Sequence, residues 1–248
     1  MAVFLAVVAL TYGSITRGLV DGNSWSRMGL VFAVVERHEL NIDPVIAAGL
    51  THDDSRSGGH YYSNKAPGPA LLAVPVYLVQ HAVQSAFGVS DDAPPARDTA
   101  GYLCNLVVGI LPFLVALAIF WTWLERRAGA PPWMACALCA TWAFSSLALP
   151  YSTLFFGHQT TEAFLAIGIF VSLLEIDRAG GLRLPWMAGA GLAMGIAVIS
   201  DYLSGVVFLL WGAFLFWRAP RTLVPWALGA AGPALIVFAY HAACFGSP

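Results

Sequence analysis

Beyond residue 69 the chain is a series of apolar segments, and a single Asp, Glu, Lys or Arg side chain, that of Glu162, falls inside them. The segments are 70–87, 102–124, 133–149, 160–174, 186–199, 203–217 and 224–245. Charge is confined to the links between them and to one long polar stretch near the start. Lys, Arg, Asp and Glu make up 10% of the 248 residues, where a water-soluble domain carries about 25%. So few charges cannot cover the surface of a globule in water. A soluble enzyme, a nucleic-acid binder and a disordered chain are excluded, and a net charge of −2 offers nothing to a polyanionic partner. The composition is that of an integral membrane protein.

The expected fold is all-α, a polytopic transmembrane helix bundle with an extracytoplasmic first loop that contains juxtamembrane helices. One domain covers 1–248, with a first span over 1–13, an outer loop over 14–98 and about six further spans over 99–248. The stretch 2–12 is short for a span and lacks the basic start and small-residue cleavage site of a signal peptide. Segment 186–217, as one helix, would run about 48 Å against a hydrocarbon core of about 30 Å, so a hairpin is expected there. The links after 124, 176 and 217 each carry two arginines: Arg126 and Arg127, Arg178 and Arg183, Arg218 and Arg221. With the hairpin, all three fall on one face, which the positive-inside rule makes cytoplasmic. The polar stretch 14–67, which holds six of the fourteen acids and the only lysine, is then outside. Segment 70–87, with Pro75 in it, is left lying on the outer face as a juxtamembrane or re-entrant helix; a true span there, with an odd number of crossings elsewhere, is the alternative. Residues 27–39 suggest an interfacial helix, apolar side down, and Gly58-Gly59 a turn.

Several residues carry candidate chemistry. Asp21, just past the first span, can take a proton from a hydroxyl at the membrane surface; in Asp21-Gly22-Asn23 it can equally be a helix cap or turn residue. Asp53 and Asp54 with His52 offer oxygen and imidazole ligands to a divalent cation, or form a solvated turn. His60-Tyr61-Tyr62-Ser63-Asn64-Lys65-Ala66-Pro67-Gly68 is the most distinctive stretch, and Lys65 can meet a lipid phosphate there or snorkel without specificity. His158 and Glu162 sit one turn apart on a helix, and an acid at that depth tends to face a cavity or a partner. Asp201 can cap the helix that follows it. Cys136 and Cys139 form a CxxC with no further ligand pair nearby, so they read as small packing residues. Gly191 and Gly195 form a GxxxG suited to close helix packing. Walker, GxSxG, HExxH and dinucleotide motifs are absent from the sequence.

The order of these features resembles the bacterial multi-spanning glycosyltransferases of the GT-C superfamily, the group that includes protein O-mannosyltransferases and aminoarabinose transferases. The resemblance rests on Asp21 after a first span, on Glu39-Leu-Asn-Ile-Asp43, and above all on Gly59-His-Tyr-Tyr-Ser-Asn-Lys-Ala-Pro-Gly68 followed by Leu71-Leu-Ala-Val-Pro-Val-Tyr77. Lys65-Ala66-Pro67 is similar to that family's lysine-proline-proline motif, and the closing 240–248 resembles one of its mid-protein stretches, which implies a fragment or a short member. Two departures stand out: Gly22 follows Asp21 where many relatives carry an acidic pair, and Asn64 stands where aminoarabinose transferases carry an acid. The resemblance implies transfer of a sugar from a polyprenyl-phosphate donor to a lipid, glycan or protein acceptor outside the cytoplasmic membrane. It makes Asp21 the general base, Asp53 a second acid near the sugar or a metal, and Lys65 the phosphate contact; Arg27 or Arg97 can help Lys65 stabilise the departing phosphate. His60, Tyr62, His158 and Glu162 are further substrate-binding candidates. No cofactor is required, and a divalent cation is optional. The rival expectation is a non-catalytic membrane protein: a lipid-linked sugar flippase, a transporter or an assembly subunit. A transporter spreads polarity through its helices and often shows inverted repeats, neither of which this sequence does.

Overall fold

The computed structural model describes residues 1–91, 93–176, 178 and 180–247. Asp177 of the second arginine link and Pro248 of the closing stretch lie outside them. Helix α1 (Ala2–Ile15) leads to α2 (Gly22–Phe32), which winds on through a π turn to Arg37. A short α3 (Asp43–Ala47) and a hairpin of β1 (Asp54–Ser57) and β2 (His60–Ser63) precede α4 (Gly68–Ala86). Then come α5 (Pro94–Asn105), a π turn and α6 (Leu111–Arg126), which form one continuous rod, followed by α7 (Pro132–Phe144), the single turn α8 (Ala148–Tyr151) and α9 (Gly157–Ile176). The last three helices are α10 (Leu184–Ser200), α11 (Ser204–Arg218) and α12 (Leu223–Phe245).

Contacts fix the direction of each helix. Phe4 meets Trp121, Tyr12 stacks on Phe113 and donates to the Ala143 carbonyl at 2.6 Å, and the Tyr102 hydroxyl donates to the Gly13 carbonyl at 3.1 Å. So α1 runs antiparallel to the α5–α6 rod. Trp142 packs on Phe113 and Phe120, while the Cys139 thiol faces the Leu117 carbonyl at 3.9 Å, which turns α7 back along α6. The Thr160 hydroxyl donates to the Val108 carbonyl at 3.2 Å, Phe170 meets Phe120, and Arg127 reaches the Leu174 carbonyl at 2.7 Å, so α9 runs parallel to α6. Val108 stands four residues before Pro112, which has no N–H to offer it, and the Thr160 hydroxyl fills that gap. Gly157 lies against Ser200 and Gly168 against Ala190, making α10 antiparallel to α9, and Gly191 and Gly195 bring α12 alongside α10 in the same direction. The chain breaks at Asp201, where the carboxylate caps the Leu203 N–H at 3.1 Å, and α11 descends from there.

All described link arginines therefore collect at one end, with Met1: Arg126, Arg127, Arg178, Arg183, Arg218 and Arg221. The other end carries α2, α3, the hairpin and α4. Helix α4 stays there. Its start lies against Ile199 and Ser200, its Ala73 carbonyl faces Cys104, and Gln80 donates to the Ala96 carbonyl at 2.9 Å. It does not run down the bundle. Three stretches, Pro94–Arg126, Gly157–Ile176 and Pro220–Phe245, are long and apolar enough to cross a membrane, and α1, α7, α10 and α11 are shorter apolar helices. Large apolar side chains such as Leu209, Leu228 and Leu235, each about 70% exposed, face outward, as they do in a bundle surrounded by hydrocarbon rather than water. These are the marks of a membrane protein.

The helical fold expected from the sequence holds with one short exception, and one further expectation needs correction. The fold is not wholly helical, because Gly58 and Gly59, at φ 57° and 90°, make a two-residue turn that pairs Ser57 with His60 and Asp54 with Ser63. Both central residues have φ above zero, the geometry that a tight hairpin needs and glycine supplies most cheaply. The helix expected at 27–39 starts at Gly22, and it does not lie with one face in a lipid interface. Met28, Leu30, Val31 and Phe32 are all at most 3% exposed, packed against Ile42, Val45, Ala73 and Tyr77 in a protein core at the end of the bundle away from the link arginines.

Candidate functional site

Asp21 stands in extended conformation at the start of α2 and caps it: Oδ1 accepts from the Ser24 N–H at 3.0 Å and Oδ2 from the Ser24 hydroxyl at 2.6 Å. One turn further along α2, Arg27 is 6% exposed. Its Nε donates to Asn23 Oδ1 at 3.0 Å and an Nη to the Ala66 carbonyl at 3.1 Å. Ala66 belongs to the Lys-Ala-Pro-Gly run, so the guanidinium fixes the backbone beside Lys65. Gly157, at the start of α9, leaves the room that Arg27 occupies: a Cβ there would stand 2.9 Å from the Arg27 guanidinium and 2.7 Å from the Ser200 carbonyl oxygen.

Burial pulls the Arg27 pKa down to about 10, and it would fall further but for three carboxylates that favour the charge, Asp201, Asp53 and Asp21 in that order. Lys65 pairs with one of them, its Nζ 3.0 Å from Asp53 Oδ1. Small hydroxyls lock this pair in place. The Ser26 hydroxyl donates to the Asp53 carbonyl at 2.6 Å and lies 2.8 Å from the Ser63 hydroxyl, while Thr51 Oγ1 accepts from the Asp53 N–H at 3.0 Å and donates to the Gly22 carbonyl at 2.7 Å. Asp201 also meets His158, Nδ1 to Oδ2 at 3.2 Å. Residues from five separate parts of the sequence thus meet at the end opposite the link arginines.

No family model, curated protein or solved structure matches the chain.

The geometry of the site gathers Asp21, Arg27, Asp53 and Lys65, and joins His158 to them through Asp201. Sequence alone gave Asp201 a capping role, which it has, but hid its second partner, because His158 lies 43 positions away and is brought near only by the α9–α10 packing. The serines and Thr51 were also missed; Ser24, three residues after Asp21, is the one with a local signal, that of a cap.

The other candidates lie elsewhere. Arg97 is bound to Glu36 and to the Tyr77 hydroxyl, its guanidinium 4.0 Å over the Phe32 ring; it clasps α2, α4 and α5 together. His60 pairs with Asp43, Nδ1 to Oδ2 at 2.7 Å, and half of its side chain is exposed. Tyr62 packs edge-on against Phe245 with ring centroids 5.6 Å apart. Glu162 accepts from the Trp142 indole inside the bundle. Among the described residues, no group of three or more His, Cys, Asp or Glu side chains is arranged to hold a metal ion.

Proposed function

We propose that this protein is a GT-C-type glycosyltransferase of the cytoplasmic membrane, which moves a sugar from a polyprenyl-phosphate-linked donor to an acceptor on the extracytoplasmic side. One observation carries the reading: at the end of the bundle away from the link arginines, the Asp21, Asp53 and Asp201 carboxylates all act on the Arg27 charge, and Asp53 pairs with Lys65. Two cations beside a proton-accepting carboxylate are what an inverting transfer from a phosphate leaving group needs. Ser24 engages one lone pair on each Asp21 oxygen and orients the carboxylate. A second lone pair remains to accept the proton of the acceptor hydroxyl. The hydroxyl oxygen attacks the anomeric carbon, the bond from that carbon to the phosphate oxygen breaks, and the phosphate leaves with the electron pair. Arg27 and Lys65 face the charge that develops on it, where fixed cations assist most. Asp53 keeps Lys65 in place before the donor arrives.

A non-catalytic role, as a flippase, transporter or assembly subunit, is the second reading. It draws on Asp21 serving as a helix cap and on Lys65 having an internal partner. Asp21→Asn separates the two, because asparagine caps about as well as aspartate but cannot take the proton. In membranes supplied with a radiolabelled polyprenyl-phosphate-linked hexose, the variant is expected to accumulate normally and to transfer sugar about 10²–10⁴-fold more slowly. Unchanged turnover removes Asp21 as the base. Movement of the donor across the bilayer with no transfer, in wild type and variant alike, establishes the second reading.

A further inference from the structure

Between α6, α7 and α9 runs an open groove of about 680 Å³. Its inner part is apolar, formed by Phe120, Leu138, Leu165 and Phe170, and its outer part carries Ser145, Ser146 and His158. From His158 to Phe170 it follows α9 for about 18 Å, the length of a lipid chain rather than of a compact metabolite. Two polar groups stand where the apolar floor meets the polar mouth. Glu162 is held by the Trp142 indole through one oxygen. Thr161 is 8% exposed and its hydroxyl is buried, one of several buried polar atoms in the protein that have no hydrogen-bond partner.

The charge pattern narrows the occupant. No Lys or Arg lines the groove. Its ionisable side chains are Glu162 and His158, and His158 already leans on Asp201. A phosphate head in this groove would face the Glu162 carboxylate in a medium of low dielectric, whereas a hydroxyl head could donate to Glu162. The cations that suit a phosphate, Arg27 and Lys65, are not among its lining residues; Arg27 lies against Gly157 and near Asp201. We infer that the α6–α7–α9 groove holds the hydrocarbon chain of a lipid with an uncharged, hydroxyl-bearing head and brings that head to the Asp201 side of the site. Naming this lipid the acceptor rests on the transferase reading above; its binding in the groove does not.

The test uses the full chain in phosphatidylcholine vesicles, with trace diacylglycerol or phosphatidic acid bearing the same diazirine-tagged acyl chain. After irradiation, labelled peptides are mapped by mass spectrometry. Diacylglycerol is expected to label 138–146 and 161–170 about tenfold more than phosphatidic acid does, the ratio that ~1.4 kcal/mol of head-group discrimination produces. Glu162→Gln keeps the shape and should bring the two probes close to parity. Leu165→Trp, which fills the groove, should abolish labelling there by both. Equal labelling of the wild type, preference for phosphatidic acid, or label spread evenly over the outward faces of α11 and α12 overturns the inference. Because labelling needs no sugar donor, a groove that labels as expected while Asp21→Asn leaves transfer untouched stands without the transferase reading, and the reverse result removes the groove alone.

Discussion

At the scale of single residues, the outer layer is held by short polar contacts whose sign can be checked by titration. Asp43 ties the hairpin to α3. Burial, the largest influence, pushes its pKa up, but the Tyr61 N–H at 2.7 Å and the His60 ring together outweigh it and hold the carboxyl below its ordinary 3.8. A carboxyl with a lowered folded pKa contributes stability that is fully present above the unfolded value and is lost as pH falls through the lower folded one. Exchange of the Tyr61 amide is therefore expected to stay slow down to pH 3.8 and to quicken only below it, once the known pH dependence of free amides is divided out. Asp43→Asn, which removes the titrating group, should erase the step. Lys65 makes a complementary case. If its task is to meet a phosphate, Lys65→Gln should raise the KM for the donor and lower kcat; Asp53→Asn, which frees the ammonium but loosens it, should affect KM more than kcat. Equal, small effects from both would assign the pair to structure alone. Lys65 and Asp21 were legible in sequence because each sits at a boundary between polar and apolar chain. Their neighbours were not, since no local pattern says that Asp53 and Asp201 will both act on the Arg27 charge.

At the scale of elements, helix contacts depend on backbones coming close. Residues Gly191 and Gly229 face each other's helices: a Cβ on Gly191 would overlap the Trp226 carbonyl oxygen, and one on Gly229 the Ala188 carbonyl. Backbone atoms cannot swing aside as a side chain can, so Gly191→Ala must push α10 and α12 apart, at a cost of about 1–3 kcal/mol. Gly189, two residues earlier, meets nothing within 4 Å, and Gly189→Ala should be neutral or stabilise by up to about 1 kcal/mol, the ordinary helix preference. Unfolding of both variants in detergent, against the wild type, measures the difference. An equal effect from the two would mean that α10 and α12 are not packed through Gly191. The GxxxG of α10 announced this contact in sequence because the spacing itself is the mechanism. The hairpin had a comparable signal in Gly58-Gly59, legible as a turn, but the strands beside it, Asp54–Ser57 and His60–Ser63, are too short and polar to announce themselves. The burial of α2 could not have been seen, since its apolar residues look the same whether lipid or α4 covers them.

At the scale of the whole molecule, one geometric fact organises the rest: the link arginines stand at one end and the carboxylate-cation site at the other. In the sequence this was legible from arginine spacing, given a break near Asp201, and the structure supplies that break with a capping carboxylate. The placement of α4 decides which side each later element takes. Were α4 a span, Val89 at its far end would lie on the arginine side; as an outer-layer helix, it leaves Val89 with the hairpin. In a cysteine-free background, Arg56→Cys and Val89→Cys should both react with an impermeant maleimide added outside intact cells, while Ala128→Cys reacts only after the membrane is opened. Arg56, Val89 and Ala128 are all exposed, so protection can come only from the bilayer. Labelling at 56 but not at 89 would make α4 a crossing helix and reverse the side of every element after it. The link arginines would then face outward, against the charge rule, and Lys65 would stand across the membrane from His158 and Asp201. The contacts around Arg27 do not permit that separation, because Gly157 and Ala66 touch the same guanidinium. A crossing α4 is therefore incompatible with the site itself, and one labelling experiment tests the topology and the convergence of Asp21, Arg27, Lys65 and Asp201 together.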